Sequence, residues 1–248
     1  MSQKEGSQNF IQLGLVGLLI AAAFFIGMLW TKVQTLEKAG IAAAPTTGTT
    51  GQPTAPTQPT APTSAKDLDP ITKEDHVRGN RNAQYALVEY SDYDCPFCKR
   101  FHPTAKQMLD EYGDKIMWVY RHFPLDSLHP NARAKAEAAE CVFKLGGEDK
   151  FWAFSDALSD QAANIALADL PALAQKNGVA TAAFNSCVSS KETKAAVDAD
   201  YASGLKAGVT GTPGNILLDI KTGKTILIPG AVPFESLKQS IDALMAGN

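Results

Sequence analysis

Apolar side chains are spread along this 248-residue chain in three unlike regimes. From Phe10 to Trp30 no charged residue interrupts the run. Coiled as a helix rising about 1.5 Å per residue, that run would be about 31 Å long, close to the hydrocarbon thickness of a bilayer. Trp30 at its end suits the membrane interface, and Lys32 suits the headgroup level beyond it. Residues 10–30 are therefore expected to be a transmembrane anchor behind a short tail, 1–9. A cleaved signal peptide competes with this reading, because Ala42-Ala43-Ala44 offers small residues for cleavage. That site lies well past the apolar run, and the run exceeds the roughly 7–15 residues of a signal core, so an uncleaved anchor is favoured. In the second regime, residues 31–66, Ala, Pro, Thr, Gly and Gln dominate from 40 onward, with prolines at 45, 53, 56, 59 and 62. Such a stretch has little to bury and is expected to be an extended spacer.

From residue 67 to 248 apolar and charged positions mix as in a globular domain. Tyr85–Ser91 is rich enough in β-branched and aromatic residues for a strand, and Ile116–Arg121 is a second. Between them a helix is expected from Cys95–Pro96 to about Tyr112: proline suits a first helical turn, while Pro103 inside the helix should kink it. A long Ala-rich block, about 125–206, reads as several helices broken at Gly146-Gly147, before Pro171, at Asn177-Gly178 and at Ser189-Ser190. Asn215–Ile220 and Lys224–Ile228 alternate around Thr222-Gly223 as a hairpin would. A closing helix runs from Pro233 to about Met245, with Phe234, Leu237, Ile241 and Leu244 at helical spacing.

Composition changes this picture little. The net charge is -3, which gives no electrostatic reason to expect a nucleic-acid partner. The four cysteines matter more. Cys95-Pro96-Phe97-Cys98 opens the first helix, where unpaired backbone N–H groups and the helix dipole favour a thiolate at Cys95. Cys98, one turn later, can reach back to resolve a mixed disulfide. A c-type haem site would need histidine after Cys98, where Lys99 stands. Zinc could recruit His102, but no convincing fourth ligand follows, so no metal-binding set is expected and redox chemistry is favoured.

The cysteine pair between strand and helix, with Val88–Phe101, Arg121-His122-Phe123-Pro124-Leu125, His129-Pro130-Asn131-Ala132 and Gly208-Val209-Thr210-Gly211-Thr212-Pro213, resembles the DsbA-like branch of the thioredoxin superfamily. The resemblance covers roughly residues 67–248. It implies an α/β thioredoxin-like fold with an inserted helical subdomain. It also implies that Pro213 is cis and faces the cysteines, that the Thr212 backbone pairs with substrate polypeptide, and that Phe97 tunes redox poise and touches substrate. Glu89 is the position at which that branch often holds a carboxylate beneath the site, moving protons to and from the second cysteine. Gly214 departs from relatives that have a β-former there, which would loosen the loop. With Cys95 and Cys98 assigned, Cys141 and Cys187 are left to pair as a structural disulfide.

Together these features predict a thiol–disulfide oxidoreductase, an oxidase passing the Cys95–Cys98 disulfide to exported polypeptides with no cofactor beyond that disulfide. A membrane reoxidase, DsbB- or VKOR-like, is the partner implied by the resemblance. Cytosolic reductants would hold the pair reduced, so the domain is expected outside the cytoplasm. A reductase or isomerase, and a thioredoxin-like module holding copper or zinc on the cysteines, are the alternatives.

Overall fold

The computed structural model describes residues 64, 65 and 67–247. The expected tail, the anchor at 10–30 and all of the spacer except residues 64 and 65 lie outside the described residues. Among the described residues, no helix is long and apolar enough to cross a membrane.

Five strands form one sheet: β1 (His76–Gly79), β2 (Tyr85–Ser91), β3 (Ile116–His122), β4 (Gly214–Asp219) and β5 (Thr225–Pro229), in the spatial order β1-β3-β2-β4-β5. β2 and β3 are parallel and are joined by helix α1 (Pro96–Tyr112), while the other neighbours are antiparallel. The two β-rich stretches and the hairpin lie within a residue of their expected bounds. β1 has no counterpart in the sequence reading, since four residues ending in Arg78-Gly79 show no alternation. It exists because His76 to Gly79 pair with Tyr120 to Met117. α1 runs unbroken through Pro103.

Alternation along the strands sorts side chains onto two faces. Leu87, Trp118, Tyr120 and Leu217 lie with Phe101 and Met108 of α1 and with Leu237, Ile241 and Leu244 of the C-terminal helix, Phe234–Met245. Ala86, Val88, Tyr90, Met117, Val119 and Ile216 point the other way, against Phe123, Ala207, Val209 and the leading residues Leu68 and Ile71.

Five helices fill the span between β3 and β4: α2 (Ala132–Gly146), α3 (Glu148–Leu158), α4 (Leu170–Lys176), α5 (Thr181–Ser190) and α6 (Lys194–Ala207). The C-terminal helix is α7. The expected block at 125–206 is thus helical, but its last member also packs on the sheet, against β2 and β3. Gly204 explains how α6 comes so close. A Cβ there would stand 2.6 Å from the Phe123 ring and 2.8 Å from Tyr90, so the glycine is kept despite costing a helix interior about 1 kcal/mol.

The leading residues are fastened to the sheet by Arg121, which is buried with Asp75. Arg121 Nε donates to Asp75 Oδ1 at 2.7 Å and Nη2 to Asp75 Oδ2 at 3.2 Å. Nη1 donates to Tyr90 Oη at 2.9 Å, and Nη2 to the Pro70 carbonyl at 3.0 Å. Thr225 Oγ1 donates to the Ala65 carbonyl, holding the start of the described chain beside β5.

Cys141 of α2 and Cys187 of α5 form a disulfide with a sequence separation of 46. Closing a loop of that length constrains the unfolded chain by about 4 kcal/mol. Replacing both cysteines with serine should lower unfolding free energy in urea by about that amount while leaving the far-ultraviolet circular dichroism of the folded protein unchanged.

Candidate active site

The site is built where β2 ends and α1 begins. Residues Ser91 to Asp94 make the turn between them, and Asp92 fixes it. Its buried carboxylate accepts from the Asp94 N–H at 2.8 Å and from the Leu125 N–H at 2.8 Å, and shares a 2.9 Å hydrogen bond with His129. The turn is thereby tied to the segment that leads into the helical block. Lys135 of α2 pairs with Asp94. His129, which the sequence leaves without a role, thus belongs to the frame of the site.

Cys95 is the N-cap of α1, with Pro96 in the first turn. Both cysteines are free and buried, Cys95 being 3% exposed. The Cys95 sulfur is tucked against the opposite loop, where the thiol donates to the Thr212 carbonyl at 3.4 Å. Thr212–Pro213 is a cis peptide bond. Sheet pairing of this segment begins only at Gly214, opposite Tyr90 and Pro229, so the Thr212 backbone lies outside the ladder. A cavity of about 180 Å³ is lined by Val209, Thr212, Pro213, Leu227 and Pro229. Gly214 does not leave the loop slack: a Cβ there would stand 2.5 Å from Val209 Cγ1. The absence of a side chain is what lets β4 start this close to the loop.

The two sulfurs have opposite acidities. A hydrogen bond from Cys98, the Thr212 side chain and the amides of Cys98 and Phe97 favour the Cys95 thiolate against the cost of burial, and its pKa falls from the ordinary 9.0 to about 5. Cys98 sits deeper. Burial, and then the neighbouring Cys95 and Glu89 charges, push its thiol well above the usual value. Glu89 lies under the pair on β2, 1% exposed. Burial raises its carboxyl from 4.5 to about 7, opposed by hydrogen bonds from Ser91 and Trp118; the Trp118 indole donates to Glu89 Oε2 at 3.0 Å. The structure therefore brings Cys95, Cys98, Glu89, Thr212 and Pro213 together. Phe97 is 51% exposed, with the Arg100 guanidinium 4.8 Å from its ring centroid. His102 is drawn away to Asp156, and Lys99 donates to the Ala163 carbonyl. Ser91, Asp92 and Trp118 escape sequence reasoning. Only the alternation that puts Ser91 on the Glu89 face hinted at one of them.

A stabilised thiolate, a poorly acidic partner thiol one turn away and a buried carboxyl titrating near neutrality together suit thiol–disulfide exchange. Comparison with known proteins agrees. A family model described as thioredoxin matches residues 71–243. Among solved structures, DsbA2 of Pseudomonas aeruginosa is 26% identical, with a TM-score of 0.58, covering 71% of this chain and 97% of that one. BdbD of Bacillus subtilis, at 21% identity and a TM-score of 0.62, covers 73% of this chain and 97% of its own, a likeness of fold. Among curated proteins, the Na(+)/H(+) antiporter NhaA 1 of Salinispora arenicola is 32% identical over 146 residues, 59% of this chain but 22% of that protein. The NhaA 1 antiporter of Mycolicibacterium gilvum is 43% identical over 88 residues, 35% of this chain and 14% of that one. This chain thus spans about a fifth or less of the length of these curated relatives.

Two outcomes follow from the acidities. Alkylation of reduced protein by iodoacetamide should follow a titration centred near pH 5, and Cys95→Ser should abolish that phase; a midpoint near 9 would contradict the geometry. Glu89 should also make stability depend on pH. Its folded pKa is raised, so below pH 4.5 the carboxyl is neutral in both states and imposes no penalty. Between 4.5 and 7 the unfolded chain ionises first and stability falls, and above 7 the loss is complete. At about 1.4 kcal/mol per unit this amounts to about 3 kcal/mol. Glu89→Gln should therefore gain about 3 kcal/mol on wild type between pH 4 and pH 8, measured by urea unfolding of the reduced proteins.

Proposed function

The chain belongs to the thioredoxin family that matches residues 71–243 and is a DsbA-like disulfide oxidoreductase, and from that premise we propose that it works as an oxidase, handing the Cys95–Cys98 disulfide to other polypeptides. The observation that carries this direction is the place of Cys95 at the head of α1, beside Cys98, where its thiol pKa falls to about 5. An anion favoured by Cys98 and the first-turn amides stabilises the reduced enzyme, and a pair whose reduced form is stabilised is a strong oxidant.

In the proposed cycle a substrate thiolate, lying along the Thr212 backbone, attacks Cys95 Sγ. The Cys95–Cys98 bond breaks and its electron pair leaves on Cys98 Sγ. The poorly acidic Cys98 sulfur then takes a proton, which Glu89 in its neutral form is placed to supply. A second substrate thiolate attacks the substrate sulfur of the mixed disulfide and expels Cys95 as the stabilised thiolate. The substrate loses two electrons and the enzyme pair gains them. Phe97, exposed at the rim, offers an apolar contact to the bound polypeptide. Re-oxidation by a membrane DsbB- or VKOR-like partner would close the cycle, and residues 10–30 would tether the domain outside the cytoplasm, where the pair can remain oxidised.

The potential of the Cys95–Cys98 pair tests the direction. Equilibration with glutathione should give a value near about -120 mV, whereas one near about -270 mV would make the protein a reductant.

A further inference from the structure

We propose that His76, His122 and Glu140 form a binding site for a zinc-class divalent cation, separate from the cysteine pair. One ligand atom of each residue lies within 4.8 Å of those of the other two, and all three side chains are buried. His76 comes from β1, His122 from the end of β3 and Glu140 from the middle of α2. No ligand-like spacing joins them in sequence; the fold alone does so.

The donors are those of borderline cations, two imidazoles and a carboxylate, the set of several zinc centres with an open position. His76 Nε2 is 2.7 Å from Glu140 Oε1, and His122 Nε2 is 3.1 Å from the same oxygen. Bonds of about 2.0–2.1 Å around a tetrahedral cation would set these donors about 3.3 Å apart, so the 2.7 Å contact has to open by about 0.6 Å and the 3.1 Å contact by about 0.2 Å, while the two histidine donors, within 4.8 Å of each other, settle at the same spacing. The protein does not saturate the cluster. The second contact lacks hydrogen-bond geometry, and both ring nitrogens of His122, Nδ1 of His76 and the Tyr120 hydroxyl are buried without a hydrogen-bond partner among the described residues. Buried polar atoms are seldom left so unless water or an ion completes them.

The surroundings fit a cation as well. The His76 ring is clamped, stacked on Phe151 at 3.5 Å and edge-on to Phe143 at 4.5 Å. Its Nδ1 faces Glu148 Oε2 at 4.0 Å, and the other Glu148 oxygen is held by the Val77 N–H and the Trp152 indole. A carboxylate behind a ligating imidazole is the arrangement that orients the ring and raises its basicity. A cavity of about 360 Å³ that His76, Glu140, Tyr120 and Asp200 line gives a path inward and room for a water as a further ligand. Asp200, which accepts the His122 N–H at 2.9 Å, adds a second carboxyl toward balancing the dication. A cation here would pin the edge of the sheet to α2.

The test uses the full chain with Cys95 and Cys98 oxidised to their disulfide, so that no free thiol competes. After incubation with zinc chloride and gel filtration, elemental analysis should find one zinc per chain. Cobalt chloride should give visible absorption of a four-coordinate ion without thiolate bands. Glu140→Gln should weaken zinc binding by more than about 100-fold, and Glu148→Gln, a change at a partly exposed side chain, by about 10-fold. Should Glu140→Gln not fold, the wild type still decides: zinc must shift the imidazole nitrogen resonances of His76 and His122. Failure of the oxidised protein to retain zinc at micromolar free metal would overturn the proposal. So would retention that leaves both sets of resonances unmoved, which would put the metal at another place on the chain.

Discussion

The chemistry depends on one constraint, the meeting of a helix start and a loop that cannot join the sheet. Cys95 caps α1, where its sulfur faces amides with no partner inside the helix. The loop ending in the cis Thr212–Pro213 bond closes over that sulfur from the far side, and Asp92 fixes the turn that presents it. Hydrogen bonds from Cys98 and the first-turn amides set one sulfur acidic, while burial and the neighbouring Cys95 and Glu89 charges keep the proton on the other, a turn further along. The asymmetry between two chemically identical groups three residues apart thus comes from what each sulfur faces.

The same logic places the carboxyl. Glu89 is flanked along β2 by core residues, and β3 supplies Trp118 as its hydrogen-bond donor. Had the strand faced water on this side, Glu89 would be an ordinary ionised side chain. Burial turns it into a group that can hold or release a proton near neutral pH. The dry face that stabilises the sheet and the proton donor that the proposed cycle uses are consequences of the same packing.

Much of this was legible in the chain. Tyr85–Ser91 reads as a strand because its side chains are β-branched or aromatic, and α1 reads as a helix because Pro96 stands where a first turn tolerates it. The Thr222-Gly223 turn marks the hairpin. The Cys-Pro-Phe-Cys turn followed at long range by Thr-Pro points to redox chemistry before any coordinates exist. What stayed hidden is what tertiary pairing alone creates. β1 is four residues held by β3, with no period of its own. Asp92 looks like any turn residue until the Leu125 amide and His129 are brought to it. Gly214 reads as slack from sequence, but Val209 fills the space its side chain would need. His76 and Glu140 lie 64 positions apart and touch only because β1 is laid along the sheet edge.

The Arg121–Asp75 pair has a mechanical consequence. It grips the segment from Asp69 to Asp75, and the Ala65 carbonyl is held by Thr225, so the chain enters the domain along the sheet face turned away from α1. The same guanidinium donates to Tyr90, so the entering segment, β3 and β2 are fastened together at one buried point on the strand that leads to Cys95.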